Sequence, residues 1–520
     1  MFEYHADTDH RERRILPTAK HHLKINIIAN IAGSGWSALI QLLFIPIYIR
    51  LLGIEAFGLI GFYLTMQVVL QILDFGLSPT INREMARYSV LPDSAGEARD
   101  LVRTLEVCYW SVSVVIGAAI LILAPAIASQ WIHAGMLPTA TVQQALMLMG
   151  ILAAFQWPLT FYQGGLLGLQ RQPLVGGLEI LFSTLTHGGA VLVLLFVSPT
   201  ITAFFIWRII VGILQISAFL FFLWRSLPAA VRPARFDARL LAKIWRFSAG
   251  MSGITLSSII LSQSDKVVLS KVLSLEYFGY YSLAYTVVNG LSKLSIPVFN
   301  AIFPRFTSLL TAGDDEGLKR SYHLSTQFMA LIILPLAMML MFFPKEIIVL
   351  WTHNPVTADR TARIISIMVI GTAINSLMYL PYSLQLASGM TKLGLIINSV
   401  FIVTLVPSMV VMSNLYGGEG AAIVWVVLNS VYMLGGVPLT HHYLLKGETL
   451  KWFMEDVGIP FVCLFAVVWT GRQIISAQLP AASMIAALAG LLAAASIASL
   501  CSSNRLRKLV VDFLEKRGLK

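Results

Sequence analysis

Along this chain, runs of apolar residues alternate with short polar stretches almost from one end to the other. A helix needs about 20 apolar residues to cross a bilayer, so each run reads as one membrane span, and fourteen are found. They lie at roughly 25–49, 58–75, 103–128, 142–163, 174–198, 201–224, 247–270, 278–303, 325–351, 362–386, 394–413, 420–440, 457–475 and 481–501. The pattern also repeats. Residues 50–58 read RLLGIEAFG and residues 271–279 read KVLSLEYFG. One fixed shift sets Arg50 on Lys271, Glu55 on Glu276, Phe57 on Phe278 and Gly58 on Gly279. The same shift sets Gly168 on Gly389 and Arg171 on Lys392.

Composition agrees with the spans. The chain is 57% hydrophobic and 12% charged, where soluble domains carry about 25% charged residues. It is therefore expected to be an all-α polytopic membrane protein. The repeat moves the first span onto the seventh, an even number of spans away, so both copies keep one orientation. The expected architecture is two six-helix lobes, related by an axis along the membrane normal, plus two C-terminal helices. Internal repeats of this kind are common in transporters.

The formal charge of +11 sits mostly in short loops and tails, which argues for membrane topology and against nucleic acid. One side holds Arg83, Arg87, Arg99, Arg103, Arg171, Arg225, Arg232, Arg235, Lys319, Arg320 and Lys392, and both tails are basic. The other side holds few cations, among them Arg50, Lys271 and Lys345. Positively charged loops stay cytoplasmic, so both termini are expected in the cytoplasm. The expected organisation is a tail (1–24), a first lobe (25–224), a basic amphipathic linker on the cytoplasmic surface (225–246) and a second lobe (247–440). A further linker (441–456), two spans (457–501) and a basic tail (502–520) follow. The polar first residues lack the apolar core of a cleaved signal peptide. Cys108, Cys463 and Cys501 have no metal-ligand spacing and read as small buried hydrophobes.

The stretch PIYIRLLGIEAFGLIGFYLTMQVVLQILDFGLSPTINREMARY at 46–88 resembles the first hairpin of bacterial polysaccharide exporters. So do the second-lobe opening that begins FSAGMSGITLSSIILSQSDKVV, the segment GGLLGLQRQPLVGGLEI, and LPYSLQLASGMTKLGLIINS. The resemblance is to the O-antigen flippase type of the multidrug/oligosaccharidyl-lipid/polysaccharide (MOP) exporter superfamily, and it covers nearly the whole chain. Its motifs are glycine, aromatic and charge patterns. It implies translocation of undecaprenyl-pyrophosphate-linked oligosaccharide, by alternating access, across a bacterial inner membrane. The glycan would be O-antigen, capsule or exopolysaccharide. The partners implied are that glycolipid, the bilayer and other polysaccharide-assembly proteins; no cofactor is implied.

A charge at mid-bilayer costs about 2.5–3.5 kcal/mol on insertion scales, so such residues face a cavity or a partner. Arg208, in TAFFIWRIIVGIL, lies about 10 Å from the outer end of its span. It is either a cavity cation for pyrophosphate or acidic sugar, or half of an ion pair, or a snorkelling side chain. Lys293 and Lys266 are candidates on the same argument. Asp265 precedes Lys266, but adjacent residues point about 100° apart on a helix and need not pair. Arg83 and Arg305 sit at the cytoplasmic ends of corresponding helices, where a basic ring would capture pyrophosphate; ordinary membrane anchoring is the alternative. Asp74, Asp265 and Glu179 are candidates for an ion pair or a coupling proton; for Glu179, surface exposure at the membrane edge is the alternative. Gly176, Gly177, Pro297, Pro304 and Pro381 either bend gating helices or simply pack. No phosphate-binding loop of the GxxxxGK[ST] type and no HExxH or GxSxG motif occurs. His21–His22 and His441–His442 lack the acidic or cysteine neighbours of a metal site. Two other readings stay open: a cation antiporter of the same superfamily, which would favour acidic residues, and a membrane polymerase or scaffold. A polymerase would be expected to carry a substantial outer loop, and none is seen.

Overall fold

A computed structural model describes residues 32–516, apart from 90, 92, 93 and 231. The N-terminal tail with His21–His22 lies outside the described residues, as does the side chain of Lys392. The described chain is helical nearly throughout. In a bilayer every backbone N–H and C=O must be satisfied within the chain, and helices do this locally.

Eight helices run to the end of the first half: α1 (Ala32–Leu52), α2 (Ile54–Leu70), α3 (Leu77–Tyr88), α4 (Ala95–Ala126), α5 (Thr139–Gln156), α6 (Leu159–Gly168), α7 (Gln172–Phe196) and α8 (Ile201–Ser226). Then come α9 (Ala238–Val272), α10 (Leu275–Ala312), α11 (Asp315–Phe342), α12 (Pro344–Thr352), α13 (Pro355–Ala387) and α14 (Thr391–Leu444). The chain closes with α15 (Thr449–Ile474) and α16 (Ala481–Ser502), and α17 (Asn504–Lys516). Polar side chains mark several starts. Thr200, Ser274, Asp314 and Asn354 each accept a hydrogen bond from the backbone N–H three residues on, which satisfies an otherwise orphaned donor.

Among the described residues, eleven helices are long and apolar enough to cross a membrane. The long helices α9 and α10 fall outside that count. α14 is two helices in one: Gly417, at φ 57° and ψ −136°, breaks it between the runs read from sequence at 394–413 and 420–440. That backbone conformation is nearly closed to other residues.

The chain divides into two compact units that meet at Ile259 and Ile260, inside α9. In the first, α3, α4, α6 and α8 enclose a core that includes Met85, Leu105, Tyr109, Phe161, Phe219 and Leu223. The segment before α9 is tied to α4. Asp100 accepts from Arg232 at 2.5 Å and from the Arg235 backbone N–H at 2.8 Å, and Thr104 accepts from the Asp237 N–H at 2.9 Å. From Ala238 onward this stretch is the first part of α9 itself, since no glycine or proline interrupts it before Gly250.

The repeat has a structural register. Helix α2 starts at Ile54 and α10 at Leu275, matching positions under the sequence shift. Phe57 and Phe278 are both buried. The two copies then part company. The Glu55 carboxylate binds the backbone N–H groups of Gly135, Met136 and Leu137 at 2.5–3.2 Å, whereas Glu276 accepts from the Tyr280 hydroxyl at 3.2 Å.

The paired glycines diverge too. A Cβ on Gly168 would lie 2.3 Å from the carbonyl oxygen of Asn82, so the glycine lets α6 touch α3. Gly389 has open space around it but a φ of +76°, which an L-residue adopts at a cost of about 1–2 kcal/mol unless it is Asn or Asp. Gly168→Ala is therefore expected to destabilise by about 1–3 kcal/mol through overpacking against backbone. Gly389→Asn should be nearly neutral. Thermal unfolding of the purified variants checks both; equal losses would contradict the two separate causes.

Candidate functional site

Arg208 is set by α8, about two turns from the start of that helix, and it is 9% exposed. Its surroundings are aromatic. The guanidinium carbon lies 5.4 Å from the Tyr63 ring centre and 5.8 Å from that of Phe204. Phe204 packs edge-on against Tyr48 at 5.2 Å, and Phe205 against Tyr63 at 5.7 Å. The Tyr48 hydroxyl is held by His187. Among the described residues no carboxylate pairs with Arg208, and its Nε is buried without a hydrogen bond. Cation–π contact returns about 2 kcal/mol when desolvated, far less than a buried, unpaired charge costs. The fold thus keeps a cation whose five donors have no acceptor identified among the described residues.

The same unit holds a cavity of about 530 Å³, and Tyr63 is hydrogen-bonded to one of its lining residues. The Tyr63 hydroxyl donates to Gln156 Oε1 at 2.7 Å, and Gln67 Nε2 donates to the same oxygen at 2.6 Å. Gln67 and Gln156 line the cavity with Gln71, Asp74, Ser78, Trp157, Thr160 and Thr255. One turn beyond Arg208, Gly212 brings α8 against Gln156: a Cβ there would lie 3.6 Å from the glutamine Cγ. Trp157 is fixed by its Nε1–H to the Leu70 carbonyl at 3.0 Å. Apolar side chains, among them Leu64, Val68, Leu70 and Leu159, make up most of the wall; the polar groups are three amides, three hydroxyls and one carboxylate.

That carboxylate, Asp74, is occupied. Its Oδ1 accepts from the Ser78 hydroxyl at 2.7 Å and from the Tyr109 hydroxyl, and its Oδ2 from the Ser78 N–H at 3.2 Å. It does not meet Arg83, whose guanidinium bonds Glu84 at 2.5 Å. Nearby arginines have similar partners: Arg87 with Glu84, Arg103 with Glu106, Arg232 with Asp100. Arg305 and Lys293 are both exposed on α10. Glu179, half-buried on α7, lays a carboxylate oxygen on Gly33 of α1, where a Cβ would come within 2.9 Å of it. The same Gly33 lies over Gly176, so Gly176 serves close packing, while Gly177 has open space.

Asp265 and Lys266 do pair, at 2.9 Å. The lysine stem is long enough to curl back, and its Nζ also donates to the Ser262 carbonyl at 2.7 Å and sits 3.7 Å from the Tyr285 ring centre. Tyr281 donates to Asp265 at 2.6 Å. The sequence thus pointed to the charges. It did not single out Tyr63, Gln67, Gln156 or Trp157, whose only signal was uncharged polarity inside apolar runs.

Solved structures with this architecture define the class of the fold. The chain is similar to the "Lipid II flippase MurJ" in an inward closed conformation, at TM-score 0.67 and 12% identity, over 94% of this chain and 99% of that one. It is also similar to an "Inward-facing conformation of a multidrug resistance MATE family transporter of the MOP superfamily", at TM-score 0.61 and 15% identity, over 83% and 98%. The fold is that of MOP-superfamily transporters. The profile of the polysaccharide biosynthesis protein family matches residues 23–310, and the MatE profile matches 253–411. The chain belongs to the polysaccharide biosynthesis protein family: it is a multi-pass membrane transporter and not an enzyme. A protein of Shigella flexneri named "Putative O-antigen transporter" is 21% identical over 400 residues, covering 77% of this chain and 93% of that protein.

A buried ion without a partner is a liability to the fold, and replacing such ions by apolar groups of similar volume is neutral or stabilising. Arg208→Met is therefore expected to unfold at or above the wild-type temperature. A clear fall would mean that Arg208 holds the unit together.

Proposed function

We propose that this transporter is a flippase for polyprenyl-pyrophosphate-linked oligosaccharide, a repeat unit of a surface polysaccharide, across a bacterial inner membrane by alternating access. The observation that carries the reading is Arg208, a buried guanidinium with no acidic partner among the described residues. A planar fork of donors in a dry site is suited to pyrophosphate or an acidic sugar. The three amides and three hydroxyls on the otherwise apolar wall of the cavity in the same unit are suited to sugar hydroxyls. The names of the Shigella relative and of the lipid II flippase point the same way. Lys293, Arg305, Arg83 and Lys266 are proposed as further cationic contacts along the path.

The topology we propose has fourteen spans. Among the described residues eleven helices meet the criterion of length and apolarity; the second arm of α14, α9 and α10 would supply the other three. An even number places both termini on one side, and the basic loops assign that side to the cytoplasm. Two six-helix lobes followed by two helices would result, with the basic segment 225–246 between the lobes.

One observation favours a second reading, a cation antiporter: the cavity carries Asp74. Both its oxygens are already hydrogen-bonded, so a cationic drug would have to displace those donors.

The test is flipping of a fluorescent undecaprenyl-pyrophosphate oligosaccharide in proteoliposomes. Wild type should flip it. Losing a charged hydrogen-bond donor costs about 1.5–3 kcal/mol, so Arg208→Met should flip roughly ten- to a hundredfold more slowly while remaining folded, and Lys293→Ala should be slower than wild type. Full activity in Arg208→Met would remove Arg208 from the path. Failure of wild type under an imposed proton or sodium gradient, with export of a cationic dye, would establish the antiporter instead.

A further inference from the structure

The second unit contains a buried ionisable cluster that no step of substrate recognition uses. His323 of α11 is 1% exposed and lies between two carboxylates. Its Nδ1 meets Asp456, and its Nε2 meets Glu448 at 3.2 Å. Asp456 belongs to α15 and is fully buried; it sits in a π-helical turn, Trp452–Gly458, together with the fully buried Trp452. Glu448 lies just before α15.

Counting hydrogens shows what this geometry requires. Each of the two contacts joins a ring nitrogen to a carboxylate oxygen, so each needs a hydrogen. A neutral imidazole supplies one. The second must be an additional proton shared within the trio. Without it, lone pair would face lone pair in a buried site, where an unsatisfied charged group is most costly.

The neighbours do not supply that hydrogen. Gln327 of α11 donates to the other Asp456 oxygen at 2.9 Å, and its own Oε1 accepts from the Arg505 backbone N–H at 3.2 Å. His441, at the end of α14, is turned to the Tyr322 hydroxyl at 2.9 Å and to Thr449 at 3.2 Å. Lys451 reaches Glu448 at 2.9 Å. Lys319 and Arg505 are the other charges that face the trio. Burial alone would raise the Glu448 carboxyl, but Lys451 and His323 hold it below the ordinary carboxylate range.

We propose that His323, Asp456 and Glu448 form a proton-binding site that fastens the start of α15, and with it the C-terminal helices, to α11. With the proton bound, both carboxylates are bridged through one imidazole. Loss of the proton leaves one contact unbridged and a net negative charge in a closed site, so α15 and α11 separate there. The site is independent of the cargo and would operate in a flippase and in an antiporter alike.

The measurement is hydrogen–deuterium exchange of the purified full chain, read on peptides covering 445–460 and corrected for the intrinsic pH dependence of exchange. For release of one proton, protection should fall up to tenfold per pH unit once the pH exceeds the release point, within the range where the protein stays folded. Asp456→Asn supplies its own N–H to Nδ1, while Nε2–H still donates to Glu448, so no additional proton is needed. This variant should stay protected, with a flat profile. Glu448→Gln combined with Lys451→Met, which removes the lysine that donates to the same oxygen, satisfies the trio in the same way and serves if Asp456→Asn does not fold. A flat profile in wild type, or a slope in the folded variant equal to that of wild type, overturns the proposal.

Discussion

An ionisable side chain cannot stand alone in hydrocarbon, and the arrangement of this protein follows from how each one is accommodated. Charging such a group away from water costs several kcal/mol unless a partner or a cavity receives it. Most charges here meet that condition locally. Glu84, Asp100 and Glu106 each take an arginine, Asp265 takes its neighbour Lys266, and Glu55 takes three backbone N–H groups. These contacts also join elements, so neutralising charge and fixing helix positions are one process. Arg208 departs from the pattern, which is why it attracts a functional reading.

The two polar regions solve the same problem differently. In the first unit, an aromatic shell surrounds Arg208 and leaves its donors for something outside the described residues. In the second, the trio around His323 closes on itself, with Gln327, His441 and Tyr322 packed about it. A buried cation whose donors find no acceptor among the described residues is suited to a ligand that comes and goes. A closed cluster joining three segments is suited to an internal change of state.

The all-helical polytopic class was legible because spans are set by length and apolarity, which need no tertiary information. The repeat was legible from nine letters, and the matched starts of α2 and α10 give it a physical register. The break in α14 was foreseen as a gap between apolar runs, but its cause, the dihedral angles of Gly417, is visible only in the backbone. Side-chain pairing was the least legible part. Asp265 and Lys266 point apart as helix positions, yet the flexible lysine stem overrides helical spacing. His323 and Asp456 are 133 positions apart, and nothing local in the sequence signals their contact. The cavity-lining glutamines were passed over because attention fell on charge, whereas in a membrane a neutral amide is also costly to leave without a partner.

The glycines at 168 and 389 bear on how two matched positions of one sequence drift. One avoids a collision with a main-chain carbonyl, which no side-chain change elsewhere can relieve. The other sustains a left-handed turn, which asparagine can also adopt. Identical letters at matched positions therefore face unequal freedom: descendants can lose the second glycine in a single step, while the first is held for as long as α3 and α6 touch. The resemblance between the halves should fade unevenly, surviving longest where backbone meets backbone.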